Sequence, residues 1–203
     1  MKGLLLKDFY LVRAALAIIL VSYAVIGIGF SIVVDPWVTV IIGSIMFGIM
    51  SASTINMDKQ YGWRKLAATL PVDKRNLIDS KFLLYLLFSV LGFVVGVVLA
   101  LVIANVADKT TAPETIRLYL SVAGAMALFS GGVMIPCNFL LSDEKAMVSL
   151  IVTFPLLTGI FVAISRATDD VMLSCNIVLA ISAVVFVGSW LFSRGKIARM
   201  DIH

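Results

Sequence analysis

Apolar residues fall into long runs along this chain, at about 14–34, 37–57, 82–105, 116–141, 146–165 and 171–192, separated by short polar intervals. Each run approaches the roughly 20 residues that an α-helix needs to cross the hydrocarbon core of a bilayer. A helix is also the form in which a single segment satisfies its own backbone in lipid. The pattern therefore predicts an all-α polytopic membrane protein, with six transmembrane helices forming one domain over residues 1–203. The first run follows MKGLLLKDFYLVR, which carries Lys2, Lys7 and Arg13. That run is too long for the apolar region of a signal peptide and lacks a small-residue cleavage site, so it is predicted to stay as the first span.

The longest polar interval, Asp58 to Lys81, reads DKQYGWRKLAATLPVDKRNLIDSK. It contains Lys59, Arg64, Lys65, Lys74, Arg75 and Lys81, and a short loop this basic is retained in the cytoplasm. On the resulting plan only Lys109, Arg117 and Arg166 of the 16 Lys and Arg residues lie outside, and both termini are cytoplasmic. Within the interval Trp63, Leu66 and Leu70 recur at helical spacing, which predicts a short amphipathic helix over about 60–70. Pro71 stops that helix, and Asp73 is placed to cap the next one. Such a helix has two uses: it lies on the lipid surface, or it docks onto a partner.

The remaining intervals are tight. Asp35-Pro36-Trp37 suits an outer turn, with Asp35 as a cap and Trp37 at the membrane interface. Thr111-Ala-Pro-Glu114 reads as a capping box before the fourth span, Ser142 to Lys145 as an inner turn, and Arg166 to Asp170 as the last outer loop. Ser51, Ser53, Thr54 and Asn56 give the second span a polar face, for which helix packing is the commoner reason. Gly92 and Gly96 have the GxxxG spacing of a helix-packing site. A kink is expected where the fourth span carries Gly131, Gly132, Pro136 and Asn138.

Composition narrows the function. The chain is 61% hydrophobic and 14% charged, with a mean hydropathy of +1.08, which excludes a soluble domain. Its net charge of +4 comes from basic residues flanking spans, so no nucleic acid is expected as a partner. Cys137 and Cys175 sit inside apolar runs and suggest neither a disulfide framework nor a metal site. The chain has no GxxxxGK[ST] loop to cradle phosphates, no GxSxG and no HExxH, and its sole histidine is His203. An enzyme is not expected. The middles of the runs lack ionisable residues, which disfavours a proton- or ion-coupled carrier.

The series Asp58, Tyr61, Gly62, Trp63, Leu66, Thr69, Leu70, Pro71, Val72, Asn76, Ser80 and Lys81 resembles the loop after the second span of small ATP-binding-cassette type-2 permeases. That family includes exporters of phenol-soluble modulins and other antimicrobial peptides. The likeness extends to the opening MKGLLLKDFYLVR and the six-span plan. The resemblance implies a permease in a bacterial cell membrane, with its N-terminal helix along the inner surface. It implies a coupling helix that fits a groove on a separate ATPase subunit through Asp58, Tyr61, Trp63, Arg64, Leu66 and Leu70. A second ATPase contact is expected at Asp143, Glu144 and Lys145. The expected assembly has two permease chains, identical or homologous, and two ATPase copies that hold ATP and Mg, this chain holding no cofactor. The other partners are membrane lipid and the exported substrate, with an amphipathic peptide favoured. The alternative is a non-transport assembly or immunity protein that binds a partner through the same loop.

Overall fold

The computed structural model describes residues 2–63, 74–141, 143–168 and 170–197, and among these the chain is helical, with no strand. The helices are α1 Lys2–Val33, α2 Val38–Gln60, α3 Lys74–Val106, α4 Pro113–Leu140, α5 Asp143–Thr168 and α6 Val171–Ile197. Helices α2 to α6 are each long and apolar enough to cross a membrane, and α1 makes a sixth span if its limbs Gly3–Arg13 and Ala15–Ser31, inclined at 57°, are taken together. Every expected span thus has its helix. The helix ends differ from the apolar limits on one side of the bundle: α2 continues to Gln60, and α3 begins at Lys74, eight residues ahead of the apolar run. Both extensions are polar, so lipid does not require them; ion pairs described below hold them.

Small residues set how closely the helices approach, because lipid supplies no hydrophobic drive between apolar helices and packing must supply the contact. α2 packs on α1, α3 and α4, and α4 packs in turn on α5 and α6. Gly43 of α2 faces Gly92 of α3 so closely that a Cβ on Gly43 would lie 2.6 Å from the Gly92 carbonyl. Gly96, one turn on, backs onto the Val40 Cα in the same way, at 2.7 Å. Tyr85 of α3 occupies the space that Gly131 leaves on α4, and its hydroxyl lies 2.9 Å from the Ala127 carbonyl and 2.7 Å from Ser130 Oγ. Around it Ile55, Ile78, Phe82, Ile135 and Phe186 form one cluster of the core.

Several local expectations are corrected. Trp37, expected at the membrane interface, is buried against other helices, with Val40, Ala100 and Ala123. Asp35 does act in that turn: its Oδ1 accepts the Trp37 N–H at 3.0 Å. The capping box at Thr111 does not form. Ala112 is the N-cap of α4 without a side-chain bond, and the Thr111 hydroxyl donates to Asp35 Oδ2 at 3.0 Å. The kink expected at Pro136 does not interrupt α4, which stays helical there, with the Asn138 amide donating to the Met134 carbonyl four residues back at 2.8 Å and Gly132 fitting against the Phe186 backbone. Lys109 of the α3–α4 loop donates to the Ser31 carbonyl at 2.7 Å and the Val34 carbonyl at 3.3 Å, supplying partners for the end of α1.

Candidate functional site

The polar interval leaves α2 at Asp58 and rejoins the fold in α3 below Lys81, and four charges close its base. Lys81 is buried, and three oxygens surround its Nζ: Asp58 Oδ2 at 2.6 Å, Asp8 Oδ2 at 2.8 Å and Thr54 Oγ1 at 3.1 Å. An ammonium has three N–H donors, so this count saturates it. Lys7 completes the square, 2.6 Å from Asp58 Oδ1 and 3.1 Å from Asp8 Oδ1. The second of these distances is an ion-pair contact without an aligned hydrogen bond, which leaves Asp8 Oδ1 the least satisfied atom of the group. Two bases alternate with two acids, so the square is neutral as a whole.

Local structure places each member. Lys7 and Asp8 are neighbours on the first limb of α1; Thr54 and Asp58 are four residues apart and share one face of α2; Lys81 stands on the second turn of α3. Beyond Asp58 the helix ends at Tyr61, whose N–H bonds to the Met57 carbonyl, while Gly62 takes φ +66°, a left-handed conformation natural to glycine at a helix end. That reversal carries Trp63 back towards α1, where Lys7 Nζ lies 4.3 Å from its ring centroid. The indole N–H of Trp63 is buried and has no hydrogen-bond partner among the described residues.

A second set of contacts fixes the opposite side of α3. Asp79 lies two residues from Lys81, about 200° around the helix, and accepts the Trp190 indole N–H at 2.8 Å with Arg194 Nε at 3.3 Å. Lys59 donates to the Leu141 carbonyl at the end of α4. The start of α1, the end of α6 and the polar interval therefore share one end of the bundle.

A family model described as ABC-2 family transporter protein matches residues 3–198. The chain belongs to that family. It is a multi-pass membrane protein of the ABC-2 transporters, in which the permease is the transport subunit and a cassette ATPase is its partner in general, so this chain is not itself catalytic. No curated protein and no solved structure matches it.

For an ABC-2 chain the residues expected to couple to the ATPase divide sharply in setting. Tyr61 is 76% exposed, Trp63 is half-buried beneath Lys7, and Asp58 is buried in the charge square, so its carboxylate faces this chain's own lysines. Arg64, Leu66 and Leu70 lie outside the described residues, as does most of the expected helix at 60–70, whose first residue instead closes α2. Asp143, Glu144 and Lys145 stand in the first turn of α5, with side chains outside the described set. Gly92 and Gly96 face α2.

Sequence reasoning passed over Asp8, Lys7 and Lys81 as site residues, treating the lysines as topogenic charge. Two signals for them are present: Asp8 is an acid among basic residues at the start of the chain, and Lys81 directly precedes an apolar run.

Proposed function

We propose that this chain is the permease subunit of an ATP-driven exporter, working as a pair of permease chains with two copies of a cassette ATPase. The family match over nearly the whole chain carries this reading. The segment 58–81 faces the cytoplasm, as its basic residues require, and both termini lie on that side. Its amphipathic stretch around Trp63, Leu66 and Leu70 docks on the ATPase, which holds ATP and Mg, since this chain has no phosphate-cradling loop. Closure of the ATPase pair moves the loop, and the loop moves the spans to open a pathway outward. The substrate is an amphipathic peptide of the phenol-soluble-modulin or antimicrobial type, a reading supported by the resemblance of Asp58 to Lys81 to the corresponding loop of such exporters.

Co-expression with a cassette ATPase encoded next to the chain, followed by purification of the membrane complex, tests this reading. The ATPase should co-purify, and an amphipathic helical peptide should stimulate its ATP hydrolysis more than a scrambled peptide of equal composition. Absence of any co-purifying ATPase would overturn the reading, and equal stimulation by both peptides would remove the substrate class.

A further inference from the structure

We propose that the four-charge square makes α1 the first helix to follow the coupling loop, with Lys81 as its central positioning residue. This rests on the coupling reading above. The Asp58–Lys81 pair ties the loop's exit to its return, so the ends of α2 and α3 move as one hairpin. Lys7 and Asp8 then fasten that hairpin to the first limb of α1: Lys7 bonds Asp58, and Asp8 bonds Lys81. A displacement of Trp63 reaches Lys7 directly, 4.3 Å above its ring.

The packing beside the square leaves α1 room to respond. Between α1 and α2 lies an apolar groove of about 340 Å³, with Val12, Ala15 and Ile19 on one wall and Met46, Met50 and Met57 on the other. Hydrogen bonds tie α1 to α2 at the square and at Tyr23, whose hydroxyl donates to the Thr39 carbonyl at 2.8 Å. Between these anchors the contact is apolar, with Val12 buried and Leu16 and Ile19 packed beside Phe47, and the flexible methionines on the facing wall of the groove repack at low cost. The two limbs of α1 join at Arg13 to Ala15, beside this groove. The square thus pulls the short limb while Tyr23 and Lys109 hold the long one.

Charge arithmetic supplies a clean way to cut the link. Replacing Lys7→Gln together with Asp8→Asn removes one base and one acid, keeps the remainder neutral, and leaves Asp58–Lys81 intact. The complex with its ATPase is spin-labelled, in a chain with Cys137 and Cys175 replaced by alanine, at Leu6→Cys of α1 or at Leu83→Cys of α3. Both are exposed, and each is paired with Val162→Cys on α5, which packs on α4 and α6. Distances are measured with and without ATP and vanadate. In the otherwise unchanged chain both pairs should shift, by about 2 Å or more, the scale of helix movements at working interfaces. In the double variant the Leu83 shift should persist and the Leu6 shift should vanish. A Leu6 shift that survives the double variant, or is absent from the unchanged chain while Leu83 shifts, overturns the proposal alone. Absence of both shifts in a complex that hydrolyses ATP overturns the coupling reading beneath it. Should the double variant not assemble, the unchanged chain decides, since Leu6 and Leu83 must shift together.

Discussion

At the residue scale, burial of charge is the feature that most constrains this protein. Moving an ion out of water is costly, and a partner restores most of that cost only when its geometry is close, so removing one member of a buried pair typically loses about 3–5 kcal/mol. Lys81 is 3% exposed and contacts both acids, whereas the Lys7 side chain is 24% exposed and partly solvated. Lys81→Met should therefore lower the thermal midpoint of the detergent-solubilised chain more than Lys7→Met, because water already reaches Lys7 and can replace part of its charge. Equal losses for the two would contradict the placement of Lys81 at the centre of the square. A smaller effect belongs to Asp79: Trp190→Phe removes one hydrogen bond but leaves Arg194, a loss of about 1 kcal/mol. Little of this was legible in the sequence, because Lys7 and Asp58 are 51 residues apart and Asp8 and Lys81 are 73 apart. No local periodicity connects them. Only the fold decides which lysine is a membrane-flanking charge and which is a buried partner.

At the scale of elements the sequence was much more informative. A bilayer demands long apolar helices, so the runs marked every helix from α1 to α6, and Gly92 and Gly96 could be picked out by spacing before their partners Gly43 and Val40 were known. Helix ends were less legible, since apolarity stops where lipid stops and helical hydrogen bonding does not. Pro136 shows the complementary limit, because a residue that disfavours a helix locally is tolerated where packing on α6 and the Asn138 bond hold the turn. The glycines give a graded test. Gly92→Val should separate α2 from α3 and sharply reduce folded protein, since its Cβ would collide with the Gly43 backbone. Gly188→Val, with nothing within 4 Å of its Cβ, should leave the yield of folded chain nearly unchanged. A comparable loss at both positions, scored by size-exclusion chromatography in detergent, would contradict the close α2–α3 approach.

At the scale of the whole molecule, the ion-paired end of the bundle collects the start of α1, the end of α6 and the base of the polar interval. A pull on that interval meets α1 and α2 through the square and α6 through Asp79. The proposed orientation rests on the basic residues. Single cysteines at Thr110 and Ser142 should label from opposite faces of the membrane, Thr110 from outside intact cells. Labelling of both from outside would contradict the six-span plan. The central claim is that the Trp63 segment couples this permease to its ATPase, and the most direct measurement is Trp63→Ala and Leu66→Ala in the co-expressed complex. Loss of a buried aromatic anchor commonly costs about 2 kcal/mol or more, roughly a 30-fold weakening. The account predicts that both substitutions sharply reduce ATPase retention and peptide-stimulated ATP hydrolysis, while Val33→Ala, at an exposed position of α1, leaves both as they were. Normal retention and stimulation in both variants, at normal expression, would contradict it.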